Sequence, residues 1–225
     1  MHDTHQKQHV NVKNSQQNSV PDCSFELPYW NDGKIVAGID EAGRGPLAGP
    51  VVAAAVIFKS DPAGHLGIND SKKLSEKKRD ELFKLIPGLS LAVGIGIVDH
   101  LEIDKINILQ ATQKAMRIAA ENLKIRPDHL LVDGNYFKEF GISYETIVKG
   151  DGRSLSIAAA SIIAKVTRDR WMTETADKLY PGYGFARHKG YGTKVHYEAL
   201  DKLGISPIHR LSFLKKYLNQ EPRLF

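Results

Sequence analysis

Four acidic residues share one arrangement, in which a short apolar segment runs into a carboxylate that lies next to or near glycine. These residues are Asp40, Glu41, Asp133 and Asp151. If the strands that carry them are neighbours in a sheet, they would bring the four carboxylates to one edge, so we expect the side chains to converge. Carboxylates a few ångströms apart repel one another unless a cation compensates, and their oxygen atoms suit Mg²⁺ or Mn²⁺. The sequence therefore predicts a site for divalent metal.

The two consecutive acids place a condition on this site. Successive side chains of a strand point to opposite faces of the sheet, so Asp40 and Glu41 can share a site only if Glu41 already lies in the turn. Gly43 and Gly45 would permit such a turn. Taken singly, each acid could instead be an ordinary turn or helix-cap residue, because Asp beside Gly is a common turn pair. The repetition of the arrangement favours one shared site.

Other kinds of chemistry find less support in the sequence. Residues 43–48 (GRGPLA) match the glycine pattern of a dinucleotide-binding loop. That loop must open a helix, whereas Pro50 and a β-branched segment follow here, and Asp40 and Glu41 would repel a phosphate. No Gly-x-Ser-x-Gly motif occurs, and Cys23 is the single cysteine. A serine or cysteine nucleophile is therefore not expected.

The elements that must position the acids can be predicted from periodicity and from turn residues. Apolar segments at 35–39 and 51–58 predict a β-hairpin, and a further strand is expected over 89–98. Short apolar segments at 130–132 and 144–148 predict two more strands. Helices are expected from Ser75 to residue 86, along the stripe Leu109, Met116, Ala120 and Leu123, and over 155–179, 194–203 and 211–218. These elements indicate an α/β fold with a helical C-terminal lobe.

The composition is typical of a folded, soluble protein. The chain has 225 residues, of which 42% are apolar and 25% are charged. Its longest apolar stretch, residues 50–58, is far shorter than the roughly 20 residues of a membrane span. Together with the single cysteine, this predicts a cytoplasmic protein. Residues 1–30, rich in Gln and Asn at the start, are expected to form a flexible polar tail.

The basic charge lies mainly in the C-terminal third. The net charge is +5, and residues 149–217 contain thirteen Lys and Arg against six Asp and Glu. A nucleic-acid partner and a solvated basic surface would explain this balance equally well. His188, His196 and His209 lie in this third at irregular spacings, and we expect them at the surface or at the edge of the core, where they could contact a phosphate.

Several motifs in this order closely resemble bacterial ribonuclease HII, the type 2 ribonuclease H. They are residues 36–46 (VAGIDEAGRGP), 69–74 (NDSKKL), 131–135 (LVDGN), 149–151 (KGD), 158–169 (AAASIIAKVTRD) and 188–191 (HKGY). The resemblance extends from about residue 34 to residue 217, which is far more specific than a single pattern. It implies a ribonuclease H-like catalytic core over residues 31–180, with the C-terminal helical lobe over 181–225 packed on it.

The resemblance also implies an activity and a set of site residues. The activity is hydrolysis of the RNA strand of RNA/DNA hybrids, and incision 5′ to a single ribonucleotide in duplex DNA that leaves a 3′-hydroxyl and a 5′-phosphate. The four acids are similar to the family's metal ligands. The substrate-binding residues implied in the same way are the loop Gly43, Arg44 and Gly45, which reads the ribose 2′-hydroxyl, Tyr191, which stacks on a sugar, and Lys72, which contacts a phosphate.

This chemistry agrees with the residue types. Two metal ions about 3.5 to 4 Å apart can activate water and stabilise the leaving oxygen, so no protein nucleophile is needed. Backbone groups of a glycine-rich turn can approach the 2′-hydroxyl that separates RNA from DNA. We therefore expect a monomeric enzyme that binds hybrid and ribonucleotide-containing duplexes, and no protein partner is evident from the sequence. The alternative is a hybrid-binding protein without activity that uses only its basic third.

Overall fold

A five-stranded mixed sheet forms the centre of the computed structural model, which describes residues 20–59 and 66–219. The strands are β1 (Val36–Ala42), β2 (Val51–Ile57), β3 (Ala92–Val98), β4 (His129–Asp133) and β5 (Ser143–Ile147). Their order in the sheet is β3-β2-β1-β4-β5. The pairs β1–β2 and β2–β3 are antiparallel, whereas β1–β4 and β4–β5 are parallel. The ends of β1 and β4 therefore lie side by side.

Helices cover both faces of the sheet and build the C-terminal lobe. They are α1 (Leu27–Asn31), α2 (Glu76–Leu89), α3 (His100–Glu121), α4 (Leu155–Arg170), α5 (Asp177–Leu179), α6 (Phe185–His188), α7 (Lys194–Leu203) and α8 (Lys215–Leu218). A π-helical turn, Trp171–Ala176, joins α4 to α5, and short 3₁₀ turns occur at Gly150–Gly152 and Leu211–Phe213. The mixed sheet with its helices confirms the predicted α/β fold and helical C-terminal lobe.

The core consists of two layers that meet at the sheet. Alternate residues of the fully buried β2 face opposite sides: Val51 and Ala53 pack in the cluster that contains α3, and Val52 and Ala54 pack with α4. The alanines of α4, including Ala159, are small enough to let the helix lie close to the strands. This fixes the sheet edge that carries the acids.

A separate apolar cluster holds the C-terminal lobe together. Leu47, Met172, Phe185, Leu200 and Leu214 are among its buried members. Leu47 comes from the connection between β1 and β2, so the lobe packs directly on the loop that follows the first strand. Among residues 20–59 and 66–219, the structure contains no helix with the length and apolar character that a bilayer crossing requires.

Part of the predicted N-terminal tail belongs to the folded domain. Glu26 is fully buried and accepts hydrogen bonds from the side chains of Ser154 and Ser156 at 2.6 Å and from the backbone N–H of Ser156 at 2.9 Å. A carboxylate at this end of α4 interacts favourably with the helix dipole. Phe25 and Tyr29 pack against a small core cluster. The predicted boundary at residue 30 is corrected accordingly, and residues 1–19 lie outside the described residues.

The antiparallel hairpin of β1 and β2 confirms the sequence prediction, and the predicted helices differ mainly at their ends. Ser75 caps α2 as predicted by accepting from the N–H of Lys78, but the helix continues through Pro87 to residue 89. Proline removes one hydrogen bond in that last turn without ending it. The strand that follows begins at Ala92 rather than at residue 89.

Helix α3 is longer than its apolar stripe and is kinked. Asp99 caps it by accepting from the N–H of Glu102, and Asn107 has a left-handed φ of 66° inside it. Leu109, which follows this kink by two residues and was expected on the apolar stripe, is 40% exposed. Met116 and Ala120 are buried as predicted.

Candidate active site

The structure brings three of the four predicted acids together. Asp40 lies near the end of β1, and Asp133 is the last residue of its parallel neighbour β4. Asp151 lies in the 3₁₀ turn that follows β5. Each of the three offers a carboxylate oxygen, and these oxygens all lie within 4.8 Å of one another. The arrangement arises from the parallel pairing of β1, β4 and β5.

Glu41 joins the site in a different way from the one predicted. It lies within β1, which continues to Ala42, and its backbone is paired with Ala53 of β2. The condition that Glu41 lies in the turn is therefore not met. Its carboxylate is 3.3 Å from the guanidinium of Arg44, and it is close enough to raise the pKa of Asp40. It is a neighbour of the three-acid cluster.

The acids repel one another in a largely buried environment. Burial, and then the charges of Glu41 and Asp133, raise the pKa of Asp40 well above its ordinary value. Burial and Asp133 also raise the pKa of Asp151. A hydrogen bond from Ser161 and the N–H of Glu41, at 2.7 Å from Asp40, offset part of this effect. A set of hard oxygen ligands with excess negative charge fits a divalent cation.

Lys72 lies at the edge of this cluster. Its Nζ is 3.5 Å from an oxygen of Asp151, and its side chain is largely exposed. Burial lowers its pKa, but Asp151, Asp40 and Asp70 together raise it more, so the net shift is upward. The neighbouring Ser71 shares a 2.8 Å hydrogen bond with Ser161. The structure thus places the ammonium group of Lys72 beside the carboxylates.

A cleft of about 460 Å³ opens next to the acids. Its lining includes Glu41, the loop Gly43, Arg44 and Gly45, and also Lys72, Ser161, Lys165 and Tyr191. All of the substrate-binding residues that the sequence predicted therefore face one space, although they come from three separate segments. The dinucleotide interpretation is wrong, because the loop leads into β2 and not into a helix.

The two glycines of the loop have different surroundings. Gly43 has a φ of +98°, and a Cβ there would lie 2.1 Å from Nε of Arg168. At Gly45 the nearest atom to such a Cβ is a ring carbon of Tyr191, at 3.8 Å. Gly43 is thus required by packing against Arg168, whereas Gly45 keeps the cleft open beside the ring of Tyr191.

Sequence reasoning missed the residues that support the site from behind. Ser161 bonds to Asp40, and it could have been noticed as a polar residue within an apolar helix. Arg168 and Arg210 are fully buried and donate to backbone carbonyls around the loop. Backbone acceptors carry no side-chain signal, so the sequence contains nothing that would have identified these two arginines.

The three histidines of the basic third are buried, which corrects the prediction that they lie at the surface or core edge. His188, His196 and His209 are 8%, 0% and 2% exposed. His196 Nδ1 bonds to the carbonyl of Tyr191 at 2.9 Å, and its Nε2 meets Nε2 of His209 at 2.9 Å. Burial lowers the pKa of both His196 and His209 to about 4. His196 and His209 are therefore neutral at pH 7, and all three histidines are core residues rather than surface contacts for a phosphate.

Comparison with protein families gives one assignment for most of the chain. A family model described as Ribonuclease HII matches residues 37–216. A ribonuclease HII of Acetivibrio thermocellus is 58% identical over 197 residues, which cover 87% of this chain and 76% of that protein. A ribonuclease HII of Geobacter sulfurreducens is 61% identical over 182 residues, covering 80% of this chain and 82% of that protein.

Solved structures agree with the observed fold. Ribonuclease H2 from Pyrococcus horikoshii matches with a TM-score of 0.67 and 27% identity, over 83% of this chain and all of that one. RNase HII of Archaeoglobus fulgidus, solved as a complex with PCNA, matches with a TM-score of 0.66 and 28% identity, over 85% and 97%. Bst-RNase HIII in complex with Mn²⁺ shares the fold, with a TM-score of 0.59 and 20% identity, over 82% and 69%.

The family match, the ribonuclease H-like sheet and the clustered carboxylates lead to the same assignment. The matched region contains all nine predicted site residues. This chain belongs to the ribonuclease HII family and is a ribonuclease H, an endoribonuclease that acts on RNA/DNA substrates.

Proposed function

We propose that this ribonuclease H cleaves the RNA strand of RNA/DNA hybrids and also incises duplex DNA 5′ to a single embedded ribonucleotide, leaving 3′-hydroxyl and 5′-phosphate ends. The observation that carries the proposal is one cleft that joins the loop at 43–45 and Tyr191 to Glu41, at the edge of the acid cluster. A site that reads one ribose next to one phosphodiester does not need a long hybrid.

Asp40, Glu41, Asp133 and Asp151 are the residues that would hold divalent cations, Mg²⁺ or Mn²⁺. The convergence of three carboxylates within 4.8 Å and the raised pKa of Asp40 fit a cation, and two ions suit the reaction. A protein of the same fold, Bst-RNase HIII, is known in complex with Mn²⁺. When bound, such ions make a water molecule more acidic and stabilise negative charge at the leaving oxygen.

The remaining site residues would bind and orient the substrate. Arg44 and Gly45 are exposed residues, and their backbone N–H groups could donate hydrogen bonds to a 2′-hydroxyl, the group that distinguishes RNA from DNA. The ring of Tyr191 is 42% exposed and offers a flat surface to a sugar. Lys72, with its Nζ 3.5 Å from Asp151, can contact a phosphate that approaches the acids.

A duplex that contains one ribonucleotide tests the proposal directly. The purified protein is incubated with an end-labelled duplex in Mg²⁺ or in EDTA, and the product is compared with markers that carry defined ends. We expect one cut 5′ to the ribonucleotide in Mg²⁺, and no cut in EDTA or in an all-DNA duplex. A cut at another position, or products with a 3′-phosphate, would contradict the proposal.

A matched pair of variants tests the acids. Asp133 accepts a 2.7 Å hydrogen bond from the N–H of Gly150, and Asp133→Asn keeps that acceptor while removing the charge. We expect this variant to bind the duplex and to lose cleavage. Asp32→Asn removes an exposed acid outside the cluster and serves as the control. Unchanged turnover in Asp133→Asn would remove Asp133 from the mechanism, and binding without cleavage by the unaltered protein would favour a hybrid-binding role.

We also infer a cytoplasmic monomer. We expect no protein partner, whereas RNase HII of A. fulgidus forms a complex with PCNA. Light scattering of the purified chain, alone and with PCNA, measures both its oligomeric state and any such association.

A further inference from the structure

The loop between β1 and β2 is held on both sides by the C-terminal lobe. On one side, the N–H of Leu47 donates to the carbonyl of Gly190 at 2.8 Å. On the other, Gly49 donates to Ile208 at 2.9 Å and Arg210 donates back to Leu47 at 2.8 Å. These bonds make the segment around residues 208–210 a short antiparallel neighbour of the loop.

The side chain of Arg210 reaches under the glycine-rich part of this loop. Its Nη2 donates to the carbonyl of Gly43 at 2.7 Å, its Nη1 to that of Arg44 at 3.2 Å, and its Nε to that of Gly49 at 2.9 Å. All three nitrogen atoms of the guanidinium are thus used on backbone carbonyls of one loop. The side chain is fully buried.

These bonds fix the direction of the loop's amides. A trans peptide unit is planar, and its C=O and N–H point in opposite directions. When Arg210 holds the carbonyls of Gly43 and Arg44, it turns the N–H groups of Arg44 and Gly45 away from itself. Within the described part of the chain neither N–H has a hydrogen-bond acceptor, and both residues are exposed and line the cleft.

A second buried arginine, Arg168, connects the last residues of the loop to the C-terminal lobe. Arg168 donates to the carbonyls of Pro50 at 2.9 Å, Lys189 at 3.0 Å and Ala48 at 3.1 Å. Among the described residues, no carboxylate lies within ion-pair distance of either guanidinium. Backbone carbonyls, the rings of Tyr191 and Phe213, and the more distant carboxylates of Asp169 and Asp104 compensate the two charges in part. A buried charge without a counter-ion is costly, and the cost is consistent with a function that needs the geometry.

We propose that Arg210 is a positioning residue for ribose recognition, which holds the peptide units of Gly43 and Arg44 so that the N–H groups of Arg44 and Gly45 face the cleft. This inference rests on the proposed role of the loop in reading the 2′-hydroxyl. Arg210 itself touches no substrate, and it acts through the backbone of the loop.

Binding selectivity tests the inference. Arg210→Lys keeps the positive charge, but one ammonium group cannot span three carbonyls. Dissociation constants are measured in EDTA for two duplexes of the same sequence, one with a single ribonucleotide and one entirely of DNA. We expect the unaltered protein to prefer the ribonucleotide duplex. In Arg210→Lys this preference should fall to nearly one, while the dissociation constant for the DNA duplex changes by less than about twofold.

Two further variants separate positioning from general instability. Leu200→Ala removes a buried side chain from the same lobe, so it should lower the melting temperature and leave the preference intact. If Arg210→Lys does not fold, Asp104→Ala replaces it, because partly exposed Asp104 accepts from the N–H groups of Leu211 at 2.8 Å and Ser212 at 3.0 Å. That variant loosens the segment after Arg210 and should lower the preference less strongly.

The outcomes distinguish the inference from the function on which it rests. A preference that Arg210→Lys, or failing it Asp104→Ala, retains in full would overturn the positioning role and leave the proposed function intact. An equal loss in Leu200→Ala would also overturn it, since instability would then explain the effect. No preference in the unaltered protein would overturn the proposed reading of ribose, and the inference with it.

Discussion

Removal of one charge from the acid cluster should stabilise the metal-free protein. Asp40 is the most deeply buried of the acids, and burial and the charges of Glu41 and Asp133 raise its pKa well above the ordinary value. Asp40→Asn removes the charge but keeps an oxygen that can accept the 2.7 Å bond from the N–H of Glu41 and the bond from Ser161. The variant therefore isolates the electrostatic cost.

The size of the effect follows from the distances. Carboxylate oxygens within 4.8 Å of one another repel by about 3.5 kcal/mol per pair at an effective dielectric constant of 20, and by about 0.9 kcal/mol in bulk water. Asp40 faces two such partners, and Lys72 offsets part of the repulsion. We expect Asp40→Asn to raise the free energy of unfolding by roughly 2 to 4 kcal/mol at pH 8 in EDTA.

The raised pKa of Asp40 determines the direction in which the free energy of unfolding changes with pH. The folded state binds the proton of Asp40 more tightly than the unfolded state does, because the folded pKa is raised. The unaltered protein therefore loses stability as the pH rises from about 4 through this raised pKa, and Asp40→Asn loses less. The gain from the substitution should be smaller at pH 5 than at pH 8.

Urea denaturation at both pH values, with and without Mg²⁺, measures these differences. Added Mg²⁺ should stabilise the unaltered protein and have a much smaller effect on Asp40→Asn, which should also lose cleavage. Asp32→Asn, an exposed acid in contact with Lys34, is the control and should behave as the unaltered protein does. The reasoning is refuted if Asp40→Asn is no more stable at pH 8 in EDTA, or if its gain is the same at pH 5.

Two other predictions concern the histidines and the loop. Burial lowers the pKa of His196 and of His209 to about 4, so stability present above pH 6.5 should be lost as the pH falls towards 4, by up to about 3 kcal/mol per histidine. A His209→Asn variant should show a shallower acid dependence of its unfolding free energy, and an equal slope would contradict this. Gly45→Val should narrow the cleft and reduce the preference for ribose, with little change in melting temperature. Gly43→Ala should lower the melting temperature, because its Cβ would collide with Arg168. The opposite pattern in thermal melts and binding would contradict the assignment.

The sequence predicted the acid cluster because strand ends have a visible pattern. The apolar segments before Asp40 and Asp133 identified two strands, and their parallel pairing brings the two ends together. The position of Glu41 was misjudged because β1 continues two residues beyond Asp40, to Ala42, in antiparallel pairing with β2. The length of a strand depends on its partner, and a single sequence does not contain that information.

The features that the sequence did not predict depend on contacts between distant segments. The irregular spacing of His196 and His209 gives no sign of burial, and they are buried because each satisfies its ring nitrogens within the lobe. Residues 22–30 are held in the fold by Glu26, whose partners Ser154 and Ser156 lie about 130 residues further along the chain. Such polar residues usually indicate exposure, but in the structure these ones form hydrogen bonds with other buried residues.

The acids and the ribose-reading loop differ in what makes them rigid. Asp40 and Asp133 lie on paired strands, so the sheet itself fixes their positions. The loop contains Gly43 and Gly45, which make close approach to a sugar feasible but leave the backbone free to take other conformations. Discrimination by a single hydroxyl requires a backbone held to within about 0.5 Å, so a glycine-rich loop needs constraint from outside. Five hydrogen bonds to the loop, two from Arg168 of α4 and three from Arg210 of the C-terminal lobe, supply it, and ribose recognition should therefore depend on the C-terminal lobe as well as on the loop.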